Sequence, residues 1–191
     1  MKIGVLALQG AFREHIRTLG LIGVEGVEVR KGTDLEDLRG LIIPGGESTT
    51  MGLLLGEYGL MEPLRSGTLP IFGTCAGMIV LAKRIKNSDQ PRLGLMDMTV
   101  DRNHYGRQVE SFETTVHATG IGDISGVFIR APIVLEAGPG VKVLARHQGQ
   151  IVLCEEGPFL ASAFHPELTS DTRLHTYFLE HFVRSEAASP R

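Results

Sequence analysis

The apolar run Leu69-Pro70-Ile71-Phe72 passes directly into Gly73-Thr74-Cys75-Ala76-Gly77 and then into a second apolar stretch. That succession leaves few options for folding. Residues 69–72 predict a short buried strand and residues 76–85 a helix. Cys75 then stands in the turn between them, inside a G-x-C-x-G frame. This is the elbow pattern that exposes a nucleophile at the end of a sheet strand. Strand and helix backbones crowd each other at such a turn, so positions 73 and 77 need small residues. The turn also sets the sulfur at a helix N-terminus, whose amide dipoles favour negative charge. A buried structural cysteine beside a glycine turn is the alternative reading of this stretch taken alone.

The segment before the elbow alternates strand and helix. Residues 3–8 form a continuous apolar run, as in a parallel sheet covered on both faces. Gln9-Gly10 breaks it, and Phe12, Ile16 and Leu19 recur at helical spacing. Residues 27–30 predict a second strand, and Thr33 or Asp34 caps a short helix through Leu38. Residues 41–43 predict a third strand, stopped by Pro44-Gly45-Gly46. Ser48 or Thr49 then opens a helix with Met51, Leu54 and Leu55 on one face. Such alternation predicts right-handed βαβ units and a parallel sheet. Beyond Ile85 the texture changes. Short strand-like pieces at 99–102, 109–116, 127–129, 141–146, 151–155 and 160–164 are punctuated by glycine and proline. They predict an antiparallel region that packs against the first sheet or extends it. Residues 171–183 predict a last helix, and residues 185–191 a frayed tail. No repeat, low-complexity tract or linker interrupts the 191 residues, so one domain spanning 1–191 is expected.

Composition narrows the function classes. The net charge is −3, with both signs interspersed. No basic stripe argues for nucleic acid, and no apolar run is long enough for a membrane span. The N-terminal apolar run is too short for a signal peptide and reads better as a strand. The two cysteines, Cys75 and Cys154, make no disulfide framework. A reducing, cytoplasmic setting is expected, and a reactive thiol needs one. Cys154 lies in Ile151-Val152-Leu153-Cys154 and reads as a buried strand residue. No histidine and cysteine spacing suggests a structural metal site, and Gly10, Gly23 and Gly26 make no dinucleotide fingerprint, so neither metal nor organic cofactor is expected.

A nucleophilic thiol needs a base, and there are seven histidines. His165 stands apart from the rest. It follows an apolar strand and is held extended by Pro166. In an extended chain residues two apart point the same way, which puts the carboxylate of Glu167 beside the ring of His165. A carboxylate there orients the imidazole and stabilises its cation, leaving the other nitrogen for the thiol. His15, His104, His117, His147, His175 and His181 have no such partners in the sequence and are expected to be solvated or packed. Pro44-Gly45-Gly46-Glu47-Ser48 ends another parallel strand, where ligands gather. Its glycines free the backbone to aim an amide at a substrate oxygen. With the amide of Ala76, the amide of Gly46 would form an oxyanion hole.

Several stretches in order carry a family resemblance: Leu8-Gln9-Gly10-Ala11, Pro44 to Thr50, Gly73 to Met78, Arg102-Asn103 with Gly106-Arg107-Gln108, Phe128-Ile129-Arg130-Ala131-Pro132, and Phe164-His165-Pro166-Glu167-Leu168. Together they resemble class I glutamine amidotransferases, and within these the glutaminase subunits of pyridoxal 5′-phosphate synthase. The resemblance runs from residue 3 to about residue 183. It implies a flavodoxin-like α/β fold with a central, mostly parallel sheet flanked by helices and an added antiparallel region. It also implies hydrolysis of L-glutamine to glutamate and ammonia, with the ammonia passed to a separate synthase subunit. In that reading Cys75 attacks the amide carbon, His165 manages the proton and Glu167 orients His165. Gly46, Glu47 and Ser48 line the glutamine pocket, with Arg102, Ile129 and Arg130 opposite. Arginine suits the α-carboxylate of free glutamine, and Glu47 suits its α-amine. Gln9 and Gly10 lie near the oxyanion site and face the partner. Gly45-Gly46 is a candidate gate, because a peptide plane between two glycines rotates at low steric cost.

Three other readings compete. A cysteine peptidase on the same scaffold would act on peptides and need no partner. A glutaminase of another pathway would share the triad but not the Gly-Gly-Glu-Ser and Phe-Ile-Arg-Ala-Pro stretches. A non-catalytic binding module has no use for an intact Cys75, His165 and Glu167 set.

Overall fold

A computed structural model of the chain describes residues 1–66, 68–102, 104 and 111–184. Asn103, Gly106-Arg107-Gln108, the first two residues of the strand expected at 109–116, and the tail 185–191 lie outside the described residues.

The elements follow the alternation seen in the sequence. Strand β1 (Lys2–Leu6) leads to α1 (Phe12–Leu21), and β2 (Glu25–Val29) to a 3-10 turn at Gly32–Leu35. Next come β3 (Leu41–Ile43), α2 (Ser48–Glu57) and α3 (Met61–Arg65), then β4 (Ile71–Thr74) and α4 (Ala76–Leu81). The second part holds β5 (Ala82–Ile85), β6 (Met96–Asp101), β7 (Phe112–Ala118), β8 (Gly122–Phe128), β9 (Ile133–Ala137), β10 (Lys142–His147), β11 (Gln150–Glu156) and β12 (Phe159–Ser162). Helix α5 (Arg173–Phe178) ends in a π-helical turn at Leu179–Val183.

One sheet dominates, with strand order β2-β1-β3-β4-β12-β11-β9-β6-β5, and β10 joins it through β11. The first five strands of that order are parallel. The rest extend the same sheet, antiparallel except where β5 runs parallel to β6. Strands β7 and β8 form a separate antiparallel hairpin. Helices cover both faces of the parallel half, as strand alternation requires. Phe72 faces α1 and α5, its ring 6.5 Å from His15 and 5.7 Å from both His175 and Phe178. Its neighbour Gly73 faces α4. A Cβ at Gly73 would press on Gly77 and Leu81, and one at Gly77 would overlap the carbonyl of Ile43. Both glycines of the elbow are therefore there for close approach.

Three expectations need correction, and one helix, α3, was not expected. The helix expected at 76–85 stops at Leu81, and residues 82–85 become strand β5. The open edge of β6 takes them up, pairing Ala82 with Met96 and Ile85 with Val100, and packing overrides the local helical pattern. Strand β9 lies outside the expected pieces, yet its Ile133-Val134-Leu135 core sits between β6 and β11. Helix α3 carries Pro63 in its first turn, where a missing N–H costs nothing. The last correction decides the site. The sequence pattern assigns residues 160–164 to the antiparallel region; β12 does pair antiparallel with β11, but it also lies parallel to β4.

Cys154 is fully buried on β11, with its sulfur 3.8 Å from Met98 Sδ. Burial pushes its thiol up to about 12. Both cysteines are free. Gly77→Ala is expected to destabilise the fold by about 1–3 kcal/mol, the cost of overpacking against rigid backbone. Cys154→Ala is expected to cost only about 1 kcal/mol, a typical core value. Urea unfolding of both variants measures the difference.

Candidate active site

The register of three parallel strands assembles the site. Ile43 of β3 pairs with Gly73 of β4, and Thr74 of β4 pairs with Ser162 of β12. All three strands end at one edge of the sheet. The segments that follow them, 44–47, Cys75 and His165, must therefore lie side by side. Cys75 donates its N–H to the Ser162 carbonyl at 2.8 Å, which ties the elbow to β12. Its φ of 49° and ψ of −101° fall in a region that non-glycine residues avoid. Such strain costs about 1–3 kcal/mol and persists where the surroundings enforce it.

His165 follows β12 with φ −103° and ψ 89°. Its N–H donates to the Val127 carbonyl of β8 at 2.8 Å. Pro166 opens a 3-10 turn at Pro166–Leu168, and this turn, rather than an extended strand, folds Glu167 back onto the ring. His165 Nδ1 and Glu167 Oε1 are 2.7 Å apart. Burial works against a charged His165. The hydrogen bonds and opposite charges of Cys75 and Glu167 outweigh it and raise the imidazole to about 10. Burial likewise works against the Glu167 carboxylate, but His15 and His165 hold it below its usual range. Cys75 and His165 each keep 7% of their surface, enough to meet a small ligand from the open side.

That side is a cavity of about 490 Å³. Gly46, Glu47, Ser48, Arg102, Ile129 and Arg130 line it together with Cys75 and His165. Gly10, Ala11, Gly45, Ile79 and Leu168 complete the wall, so Gly10 faces the pocket as well as its loop. Ala76 follows Cys75 at the buried start of α4. A hollow of about 520 Å³ between Met1, Asp37 and Val183 lies at the other end of the sheet and holds no cysteine or histidine.

The loop 45–47 is clamped from the start of α1. The Gln9 side-chain amide donates to the Glu47 carbonyl at 2.6 Å and accepts the Glu47 N–H at 3.1 Å. Ala11 N–H reaches the Gly45 carbonyl at 3.4 Å. A Cβ on Gly10 would overlap that same carbonyl, and the residue has φ 86°, so only glycine fits. Glu47 is the true cap of α2, in place of Ser48 or Thr49. Its carboxylate accepts from the amides of Thr49 at 3.0 Å and Thr50 at 2.8 Å. Although partial burial opposes the charge, these bonds lower its pKa to about 2.

Sequence reasoning missed two sets of residues here. Gln90 is buried, and its Oε1 accepts from Arg102 and from Thr49 at 3.2 Å. Arg102 also donates to Thr49 Oγ1 at 3.0 Å. Gln90 thus fixes the guanidinium that faces the pocket, and nothing in its loop sequence signalled that. His15 and His175 are fully buried, among the histidines expected to be solvated or packed, and they carry hydrogen-bond partners behind Glu167 that the sequence did not show. The signal was weak: His15 falls on the inward face of α1, one turn after Phe12. His117 also has a partner, an exposed pair with Asp123 at 2.7 Å. Among the described residues no cluster of histidine, cysteine and carboxylates has the form of a metal site, and no helix is long and apolar enough to cross a membrane.

The chain is similar to known proteins over nearly its whole length. A model of the SNO glutamine amidotransferase family matches residues 5–184. A relative from Pelotomaculum thermopropionicum, named pyridoxal 5′-phosphate synthase subunit PdxT, is 59% identical over 97% of both chains. Another so named, from Geobacillus kaustophilus, is 56% identical over 99% of this chain and 98% of its own. A solved structure described as a glutamine amidotransferase superposes with a TM-score of 0.90 at 55% identity, covering 93% of this chain and 97% of that one. A glutamine amidotransferase from Thermotoga maritima shares the fold, with a TM-score of 0.64 at 14% identity over 100% of this chain and 87% of its own. The mostly parallel α/β sheet is thus that of class I glutamine amidotransferases, and the chain belongs to the SNO glutamine amidotransferase family.

Proposed function

We propose that this chain is a cytoplasmic glutaminase, a single domain over residues 1–191, that hydrolyses L-glutamine and delivers the ammonia to the synthase subunit of pyridoxal 5′-phosphate synthase. The observation that carries this reading is the convergence of Cys75, His165 and Glu167 at one sheet edge, in a chain 59% identical to a relative named for that synthase. The Cys75 sulfur attacks the side-chain amide carbon of glutamine. His165 transfers a proton to the departing nitrogen, and ammonia leaves. A water, deprotonated by His165, then attacks the thioester and releases glutamate and the thiol. Glu167 holds the ring in the tautomer that both steps use. The amides of Gly46 and Ala76 receive the developing oxyanion. Such a donor is worth about 2.7–4 kcal/mol when it is positioned in advance. Arg102, held in place by Thr49 and Gln90, and Arg130 at the pocket wall bind the α-carboxylate. The Glu47 carboxylate already caps α2, so it meets the α-amine only with its remaining lone pairs.

Ammonia release by the purified chain with the synthase subunit present tests the roles. Cys75→Ala is expected to abolish turnover in a folded protein. His165→Asn is expected to lose about 10²–10⁴-fold, the usual scale of a general base. Glu167→Gln should lose less, since an amide still holds the ring. Substantial turnover by Cys75→Ala would overturn the assignment.

The same Cys75→Ala protein offers a second reading by NMR titration. The thiol is one of two partners that raise His165. Its removal is expected to bring the imidazole down from about 10 toward its ordinary value. An unchanged midpoint would show that sulfur and ring do not interact.

Gating is a separate expectation. Gln9 and Ala11 hold the loop at Gly45 to Glu47, so a partner that contacts Gln9 and Gly10 shifts that loop through differential contact. The isolated chain is expected to hydrolyse glutamine slowly and the complex much faster, chiefly in kcat. Gly46→Ala would place a Cβ against the Gln9 side chain and is expected to blunt that gain. Equal rates with and without the synthase subunit would remove the gate.

A further inference from the structure

Behind the triad lies a buried polar chain that the mechanism does not use. Glu167 spends Oε1 on His165. Its Oε2 is fully buried and makes no regular hydrogen bond, but His15 Nε2 lies 3.4 Å away. The same Nε2 lies 3.2 Å from Thr74 Oγ1, on the residue before the nucleophile. His15 Nδ1 faces His175 Nε2 at 2.9 Å, and His175 Nδ1 is buried with no partner.

We infer that His15 is a positioning residue for the triad, whose neutral Nε2–H bridges the free oxygen of Glu167 and the hydroxyl of Thr74. The inference rests on the triad reading proposed above.

Proton bookkeeping supports it. An ionised carboxylate only accepts, so a lone pair on His15 Nε2 would face Oε2 without a proton between them. With the proton on Nε2, both oxygens share one donor in a three-centre arrangement. His15 Nδ1 is then an acceptor, and His175 donates to it through its own Nε2–H. The chain ends at His175 Nδ1 as a bare lone pair, which costs less to bury than an orphaned N–H. Burial lowers both histidines, His175 to about 3, so both are neutral at pH 7. The result joins three elements. Helix α1 supplies the donor, the turn after β12 supplies the carboxylate, and β4 supplies the hydroxyl beside Cys75. Without the bridge, Glu167 would keep a buried charge with only one partner and could swing away from His165.

Nitrogen NMR of the wild-type chain tests the tautomer directly. Around neutral pH both His15 and His175 are expected to carry the proton on Nε2. A protonated Nδ1 on His15 would overturn the proposal. Variants test the role, with the synthase subunit present. His15→Leu is expected to lower kcat about tenfold, the scale of one hydrogen bond to a charged group, with KM for glutamine within about twofold. Alkylation of Cys75 by iodoacetamide should slow in parallel, without any glutamine turnover. His15→Gln, whose amide reaches the same place, is expected to recover most of both rates. A folded His15→Leu with wild-type kcat and alkylation rate, beside an inactive Cys75→Ala, would overturn this proposal and leave the triad standing. If His15→Leu does not fold, the wild-type tautomer decides.

Discussion

The parallel pairing of β12 with β4 is the contact on which the site depends. Strand β12 is separated from β4 by more than eighty residues of chain, yet Thr74 and Ser162 stand in register at its end. A shift by one residue would turn Phe164 and its neighbours to the wrong face and move His165 away from Cys75. The register is strongly specified because the four residues of each strand are buried. Ala161, small and paired with Gly73, lies on the face that α4 covers. The Cys75 amide then donates to the Ser162 carbonyl, and this holds a strained elbow that would relax if β12 were absent.

Burial of charge is the second theme. Glu167 is an ionised group with only 6% of its surface exposed, a costly arrangement unless its oxygens are answered. His165 answers one at 2.7 Å. The interior answers the other with a neutral histidine on α1, at a longer distance. Strength is therefore placed where orientation matters. Polar groups at this depth are expensive to leave unmatched, which keeps the arrangement unique.

Helix α1 connects the two halves of the pocket. Its preceding residues, Gln9 to Ala11, clamp the loop that carries Gly46, while one turn further His15 reaches the carboxylate of Glu167. Any displacement of α1 acts on both. On the opposite wall Gln90 joins Thr49 and Arg102, so the arginine facing the cavity is fixed by the cap region of α2.

The sequence by itself determined the alternating first half, the elbow at Cys75, the His165 and Glu167 pair and the glycine loop at Gly45. Each is written in local chemistry: apolar periodicity, a turn that admits only glycine, a proline that restrains its neighbour. Family resemblance also named Gly46, Glu47, Ser48, Arg102, Ile129 and Arg130, which line one cavity with Cys75 and His165. Only the tertiary structure decided which strands are neighbours. It made residues 82–85 a strand because β6 offered an open edge, and it set β12 parallel to β4. It also gave His15, His175 and Gln90 their partners. Those contacts span 160, 59 and 12 positions of chain, and no local pattern encodes a hydrogen bond between residues that meet only after the sheet has closed between them.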